Sequence, residues 1–203
     1  MPKFDPQKHH RRSIRLKGYD YSQAGGYFVT IVAWHRECLF GEVVHGEMQL
    51  NKIGKIVEWE WLELPKRLCY IELGASIVMP NHFHGILFFH ENVRATRQGP
   101  TIVRSSKEPV QTIIDEGMDG SPVRPHGPKT ASLGAILAQF KSRAKKRIWK
   151  FPEFKETPIW QRNYYEHILR NDHDLQNKTE YINANPLLWE QDEENPRHID
   201  GDH

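Results

Sequence analysis

The segment Met79-Pro-Asn-His-Phe-His-Gly-Ile-Leu-Phe-Phe89 constrains the fold of this chain more than any other. Its last five residues are apolar apart from a glycine, which predicts a buried β-strand. Side chains alternate between the faces of a strand, so His82 and His84 share one face while Phe83 points into the core. The two imidazoles therefore form half of a metal site. The alternative is a polar strand face that arose by chance, because the chain contains 12 histidines.

The rest of the chain alternates between strand-like and helix-like segments. The predicted strands are rich in β-branched and aromatic residues and cover residues 26–34, 70–78, 82–90 and 159–169. Residues 38–50 are predicted to form a further strand or a hairpin, with turn signals at Gly41 and Gly46. Two predicted helices start at polar capping residues, Asn51 and either Asn171 or Asp172, and end near Leu64 and Ala184, and a third runs from about Ser132 to Lys150. This order predicts an α+β fold with helices packed on a mainly antiparallel sheet.

Composition divides the chain into one domain and three unlike segments. Residues 1–17 contain six basic residues and one acid, which predicts a basic N-terminal arm. Residues 91–131 hold five prolines and four glycines without an aromatic residue, which predicts a flexible insertion in a domain spanning residues 18–188. The acidic C-terminal tail, residues 189–203, has six acids and one base. Without it, 27 bases face 20 acids, so the net charge of +2 conceals a body of +7.

Several classes of protein are excluded by composition. Two cysteines cannot form a disulfide framework or a multi-cysteine zinc ribbon. No apolar run approaches the roughly 20 residues that a membrane-spanning helix needs, and the N-terminus lacks the apolar stretch of a secretory signal. We therefore expect a cytoplasmic protein with no membrane partner. Glycine-rich phosphate-binding motifs are also absent, which argues against nucleotide hydrolysis.

Two cationic regions predict contact with nucleic acid. The helix predicted at residues 132–150 ends in a run of like charges that repel one another unless a polyanion is near, and we assign DNA binding to Lys141, Arg143, Lys145, Lys146 and Arg147. A solvated helix face is the alternative. Arg11, Arg12 and Arg15 in the basic arm are the second group of candidates. We interpret Trp59 and Trp61 as packing residues of the first helix.

Six motifs, in order along the chain, resemble the single-tyrosine transposases of the HUH superfamily, and most of all the REP-associated tyrosine transposases of bacteria. The resemblance spans nearly the whole chain except residues 91–131 and the acidic tail. It implies a ferredoxin-like or RRM-like sheet with packed helices, the HUH endonuclease sandwich. The motifs are Arg11-Arg-Ser-Ile-Arg-Leu-Lys-Gly-Tyr-Asp-Tyr21, Tyr27-Phe-Val-Thr-Ile31, Val78-Met-Pro-Asn-His-Phe-His84, Phe140-Lys-Ser142, Trp160-Gln-Arg-Asn-Tyr-Tyr-Glu-His167 and Tyr181-Ile-Asn-Ala-Asn-Pro186.

The resemblance also implies the roles of the site residues. Tyr181 corresponds to the catalytic nucleophile, and Asn185 to the residue four positions later that joins His82 and His84 as a metal ligand. The archetypal transposases have a glutamine at that position, so Asn185 is a departure. Residues four apart share a helix face, which is consistent with this pairing. Tyr165 is the reserve nucleophile.

The implied activity is that of a DNA transposase, a metal-dependent endonuclease and strand transferase that acts on single-stranded DNA next to a hairpin. It proceeds through a 5′-phosphotyrosine intermediate with Mg²⁺ or Mn²⁺, in a monomer or a homodimer. Three alternatives stay open: a domesticated hairpin-binding protein that does not cleave, a replication initiator or relaxase of the same superfamily, and a zinc hydrolase that uses both histidines and a carboxylate.

Overall fold

Four of the predicted strands form one antiparallel sheet at the centre of the molecule. The structure is a computed structural model that describes residues 19–90, 132–192 and 194–196. The strands of the sheet are β1 (Gly25–Val32), β4 (Ile71–Val78), β5 (His82–Phe89) and β6 (Tyr165–Leu169). They lie in the order β4-β5-β1-β6, and each pair of neighbours is antiparallel. Helices pack on this sheet, so the predicted α+β class is confirmed.

The predicted hairpin at residues 38–50 is a separate two-stranded sheet. Its strands are β2 (Gly41–Val44) and β3 (Glu47–Leu50). Both residues of the connecting turn, His45 and Gly46, have positive φ angles, as a tight two-residue hairpin turn of matching twist requires. The turn predicted at Gly46 is thus confirmed, whereas Gly41 is the first residue of β2.

The described residues form four α-helices, three of which lie between strands while the last follows β6. They are α1 (Lys52–Leu62), α2 (Leu64–Arg67), α3 (Leu133–Ile148) and α4 (Asp172–Ala184). Asn51 caps α1 by accepting hydrogen bonds from the amides of Ile53 and Gly54. Ser132 and Asn171 cap α3 and α4 in the same way. These residues satisfy amides at the helix starts that would otherwise lack an acceptor, which is why the starts were predictable from sequence.

Helices cover both faces of the sheet and give each face its own core. Helices α1 and α3 pack against each other, and their apolar residues bury Val29, Phe83 and Leu87 in the larger cluster. Helix α4 lies on the opposite face, where Ile182 packs on Phe28 in a smaller cluster. The histidines of β5 project to this second face, because Phe83 between them points into the main core.

One predicted strand is shorter than expected. Residues 159–164 form no ladder apart from an isolated bridge between Trp160 and Ala33, and Asn163 has a φ of 70°. The ammonium of Lys141 donates to the carbonyls of Gln161 and Asn163, at 2.6 and 2.9 Å. These carbonyls therefore bind a side chain instead of a neighbouring strand, and regular pairing begins only at Tyr165.

Several predicted segments lie outside the described residues. They are the basic arm with Arg11, Arg12 and Arg15, the insertion at residues 91–131, Glu193, and the last part of the acidic tail, residues 197–203. Within the described ranges, no helix has the length and apolar content needed to cross a membrane.

Gly85 is predicted to be essential for the packing of β5. A methyl group at this position would lie 2.5 Å from Cζ2 of the buried Trp61 ring. We expect Gly85→Ala to lower the free energy of unfolding by about 1–3 kcal/mol in urea denaturation, as overpacking of a core does. Ser76→Ala, at the position paired with Gly85 on β4, serves as control, and an equal loss in both variants would contradict this explanation.

Candidate active site

Two buried imidazoles lie side by side at the start of β5. His82 is fully buried and His84 is 3% exposed, and their ring centroids are 4.5 Å apart. In the register of the sheet, His82 lies opposite Val32 and His84 opposite Thr30 of β1. Burial disfavours a charged imidazole, so it lowers the pKa of His82 to about 4 and that of His84 well below its usual value. Both rings are neutral near pH 7.

The side chain of Asn81 determines which nitrogen of His82 carries the proton. Its amide nitrogen donates to the carbonyls of Arg36 and Glu194, at 2.9 and 2.6 Å. Its amide oxygen therefore faces His82, with Nδ1 at 2.9 Å. Because that oxygen can only accept, Nδ1 is the donor and Nε2 keeps its lone pair. The Nε2 atom is buried and has no hydrogen-bond partner among the described residues.

His84 contacts a hydroxyl group at each ring nitrogen. Thr30 Oγ1, on the neighbouring strand, is 2.8 Å from Nδ1. The phenolic oxygen of Tyr181 is 3.4 Å from Nε2, and the two rings meet edge to face. The strand pairing thus places a polar partner behind the imidazole, and helix α4 places a tyrosine in front of it.

Helix α4 brings Tyr181 and Asn185 to the histidines. Asn185 ends the helix with φ −56° and ψ −41°, so the following proline does not displace it from helical geometry. Its side chain is 2% exposed, whereas Tyr181 is 43% exposed and borders an open cavity of about 550 Å³. Thr30, His84, Tyr165 and Lys178 also line this cavity. The structure therefore gathers both histidines, the tyrosine and the asparagine that were singled out in the sequence.

The first part of the acidic tail belongs to this site. Asp192 accepts a hydrogen bond from the amide nitrogen of Asn185 at 3.1 Å. Potential ligand atoms of Asp192, His82 and His84 all lie within 4.8 Å of one another. Sequence reasoning missed Asp192 because it treated residues 189–203 as one charged segment. Trp189, a large aromatic residue directly before the run of acids, lies beside His82 and was the available signal for a packed segment.

Contacts with Arg36, which follows β1, and with Asn81, which precedes β5, hold this segment in place. A short 3-10 turn spans Trp189–Gln191. Beyond it, the Glu194 side chain pairs with Arg36 at 3.2 Å, and its carbonyl accepts the hydrogen bond from Asn81. Asn195 donates back to the carbonyl of Trp189. Asp192 is therefore held on a closed turn and not on a free chain.

The donor atoms gathered here fit a divalent metal ion. The amide nitrogen of Asn185 donates a hydrogen bond to Asp192. The amide oxygen of Asn185 is buried and has no hydrogen-bond partner among the described residues. His82 Nε2 is in the same condition. Unpartnered buried acceptors are costly, by about 1–3 kcal/mol each, and a cation would satisfy both. Neutral imidazoles with amide and carboxylate oxygens are a common ligand set for divalent ions.

Some of the predicted DNA-binding residues of α3 have partners within the protein, and others are exposed to solvent. Lys141 is occupied by the two carbonyls described above, and burial lowers its pKa to about 8. Arg147 is paired with the buried Glu60, and the ammonium of Lys145 lies 4.5 Å from the centre of the Trp149 ring. The side chains of Arg143 and Lys146 are exposed. Helix α3 lies on the sheet face opposite the histidines, so these cations do not border the cavity.

The tryptophans of α1 and the tyrosines near the start of β6 differ in how far each is buried. Trp61 is 1% exposed, as predicted for a packing residue. Trp59, on the same helix, is 41% exposed, so its interpretation as a packing residue is wrong. Tyr164 packs against the main core, while Tyr165 borders the cavity and is 43% exposed, as Tyr181 is.

Comparison with known proteins gives a consistent group of relatives. No protein-family profile matches the chain. An uncharacterised Haemophilus influenzae protein is 35% identical over 191 residues, 94% of this chain and 96% of that protein. Another H. influenzae protein, named "Putative REP-associated tyrosine transposase", is 46% identical over 35 residues, 17% of this chain and 20% of that protein.

Among solved structures, a REP-associated tyrosine transposase bound to a REP hairpin matches with a TM-score of 0.51 at 16% identity, covering 87% of this chain and 73% of that chain. The chain thus shares the fold of that solved structure. The chain belongs to one family with the H. influenzae protein that it matches along nearly its whole length. The chain is thus similar in fold to a REP-associated tyrosine transposase and similar over 35 residues to a protein of that name, in agreement with the resemblance carried by the six motifs.

The buried histidines predict a pH-dependent stability of the metal-free protein. Since the pKa of His82 falls from 6.5 to about 4 on folding, the unfolded chain binds more protons between these values. The free energy of unfolding therefore falls as the pH is lowered through this window. We expect His82 alone to account for a loss of about 2 kcal/mol between pH 7 and pH 5, measured by urea denaturation. His82→Gln should lose correspondingly less, and equal losses would contradict the assignment.

Proposed function

We propose that this protein is a metal-dependent single-stranded DNA endonuclease and strand transferase that uses Tyr181 as its nucleophile. The observation that carries the proposal is the position of the Tyr181 oxygen, 3.4 Å from His84 Nε2 at the border of an open cavity. The same cavity is lined by Asn185 and Asp192, next to His82. A nucleophile beside a cluster of metal-ligating groups is the arrangement that phosphodiester cleavage needs.

A covalent intermediate explains why a tyrosine is needed. Direct attack by water would give a product that cannot be rejoined without new energy. Attack by the Tyr181 oxygen on the phosphorus forms a phosphotyrosine and breaks the bond from phosphorus to the 3′ oxygen. The phenol loses its proton to water in the open cavity, and the leaving 3′ oxygen takes one up. The reverse attack, by a 3′ hydroxyl, restores a phosphodiester and frees the tyrosine.

Other side chains of the cavity are suited to binding the DNA strand. The ammonium of Lys178 lies 4.9 Å from the Phe28 ring and 5.7 Å from the Tyr181 ring, so it can contact a phosphate placed beside the phenol. The Phe28 ring meets Tyr181 edge to face at 6.1 Å and restricts the direction of the phenol. We therefore assign phosphate binding to Lys178 and orientation of the nucleophile to Phe28.

His82, His84, Asn185 and Asp192 are the residues that would hold the metal ion. A bound Mg²⁺ or Mn²⁺ would polarise the scissile phosphate and stabilise the negative charge that develops during attack. The hydrogen bond that Asn81 accepts from His82, and the one between Thr30 and His84, would keep both imidazoles oriented for ligation, as partners behind metal-binding histidines do. The Asn185 departure from glutamine is accommodated because Asp192 lies next to it as a further oxygen donor.

Hairpin DNA is the proposed partner. The relative of known structure is described as bound to a REP hairpin. The cationic body of this chain, with exposed Arg143 and Lys146, supports binding to a nucleic-acid backbone. Because phosphate contacts release counterions, we expect the affinity for DNA to fall steeply with salt.

A hydrolase is the second candidate, and the position of Asp192 is the observation that favours it. Two histidines and one carboxylate form the ligand set of many zinc hydrolases, which activate water instead of a protein nucleophile. Such an enzyme would cleave DNA without forming a covalent adduct. It would also tolerate the loss of the Tyr181 hydroxyl.

The nucleophile is tested by trapping the covalent adduct. We expect wild-type protein, incubated with labelled single-stranded hairpin DNA and Mn²⁺, to give an SDS-resistant complex that Tyr181→Phe reduces to the detection limit. Tyr165→Phe is the matched control, because both tyrosines border the cavity and are equally exposed. Adduct formation by Tyr181→Phe would overturn the assignment, and cleavage without an adduct would favour the hydrolase. DNA binding without cleavage in every condition would indicate a domesticated binding protein.

The metal ligands are tested by Mn²⁺ titration calorimetry on metal-free protein. We expect His82→Ala, Asn185→Ala and Asp192→Ala each to weaken Mn²⁺ binding by about tenfold or more, since each removes one donor atom. Removing the metal by EDTA should abolish cleavage, and Mg²⁺ or Mn²⁺ should restore it. Unchanged affinity in Asp192→Ala would exclude this carboxylate as a ligand. Full activity with zinc alone would contradict the proposed working ion.

A further inference from the structure

A second basic surface lies on the sheet face remote from His82 and His84. It is a groove of about 480 Å³ between α1 and the C-terminal end of α3. Its lining includes four cations and two aromatic rings: Lys52, Lys55, Arg147, Lys150, Trp59 and Phe151. No acidic side chain is among its lining residues. Most of these residues were not among those assigned to DNA from the sequence.

The rim of the groove is held in place by a buried carboxylate. Glu60 is 2% exposed, and its two oxygens accept from Arg67 Nη1 at 2.7 Å and from Arg147 Nε at 2.8 Å. These bonds place the Arg147 guanidinium 4.0 Å and the Arg67 guanidinium 5.5 Å from the centre of the Trp59 ring. A fixed, planar cation on an indole ring is a preorganised surface for a flat ligand.

The groove keeps a surplus of positive charge. The ammonium of Lys52 lies 3.5 Å from the centre of the Phe151 ring and pairs with Glu153 at 3.0 Å. Glu60 and Glu153 together offset two of the five cations formed by Lys52, Lys55, Arg67, Arg147 and Lys150. Three positive charges therefore remain around two aromatic rings.

We propose that this groove binds unpaired nucleotides of single-stranded DNA, at a site separate from the cleavage cavity. Cations that follow a backbone, together with rings on which bases stack, are the elements that bind single strands without sequence preference. The volume lies within the range of small-ligand sites, roughly 300–1,000 Å³. Since the groove and the histidines lie on opposite faces of the sheet, the groove holds a part of the strand distant from the scissile phosphate.

The assignment of this groove rests on the proposed function only in taking DNA as the partner. Binding of single-stranded DNA in the groove does not require cleavage. An acidic peptide is the competing occupant. Its carboxylates would contact the same cations but offer no planar ring to stack on Trp59 or on the guanidinium above it. The aromatic component of the groove therefore favours a nucleobase.

The test measures binding of a fluorescein-labelled oligothymidylate without a hairpin, by fluorescence anisotropy in EDTA so that no cleavage intervenes. We expect Trp59→Ala to weaken binding about tenfold, which corresponds to the loss of one stacked base. Trp59→Phe, which keeps a ring, should stay within about threefold of wild type. Leu62→Ala, an exposed residue on the same helix outside the groove, is the control for truncation. Circular dichroism verifies that each variant is folded.

Charge is tested in the same assay. Lys55→Glu and Lys150→Glu should weaken binding strongly, whereas Lys66→Glu, an exposed lysine of α2 outside the groove, should not. Wild-type affinity in Trp59→Ala and in both charge variants would overturn the proposal. Loss of binding in the charge variants alone would overturn the role of base stacking. Competition by polyglutamate as effective as that by unlabelled oligothymidylate would assign the groove to an acidic peptide instead. Because cleavage is not measured, failure of the Tyr181 mechanism leaves this result intact.

Discussion

The candidate site depends on the antiparallel pairing of β1 with β5. This register sets His84 opposite Thr30, whose hydroxyl contacts the imidazole, and turns Phe83 and Gly85 towards Trp61 on the other face. A slip of one residue would reverse every side chain, placing two imidazoles in an apolar core and a phenylalanine in the cavity. The tight contact between Gly85 and the Trp61 ring opposes such a slip. The packing of α1 and α3 thereby holds the chemistry on the face covered by α4.

Buried polar atoms are the second constraint. His82 Nε2 and Asn185 Oδ1 are buried without a hydrogen-bond partner in the described part of the chain, although stability favours partnered groups. A neighbouring side chain orients each of them. Asn81 accepts a hydrogen bond from His82 Nδ1, and Asp192 accepts one from the amide nitrogen of Asn185. The protein thus keeps lone pairs pointed at one place, which is the preorganisation that a metal site requires.

The two faces of the sheet carry different parts of the proposed activity. The face under α4 has the cavity with Tyr181, and the face under α1 and α3 has the basic groove with Trp59. Not every cation of α3 is available to DNA, because Lys141 donates to two carbonyls in the irregular segment before β6 and so has a structural role. A single strand that engaged both faces would be held at two points by one small domain.

The sequence by itself determined what depends on neighbours within one element. The period of two in a strand places His82 and His84 on one face, and the spacing of four in a helix places Tyr181 on the same face as Asn185. Asn51, a capping residue, marks the start of α1. Only the tertiary structure decided which distant groups meet these residues. Asp192 reaches the histidines because the turn that carries it is held to Arg36 and Asn81 through Glu194, and Arg147 of α3 lies over the Trp59 ring because it pairs with the buried Glu60 of α1. Such contacts arise from packing between segments far apart in the chain, and no local period in the sequence encodes them.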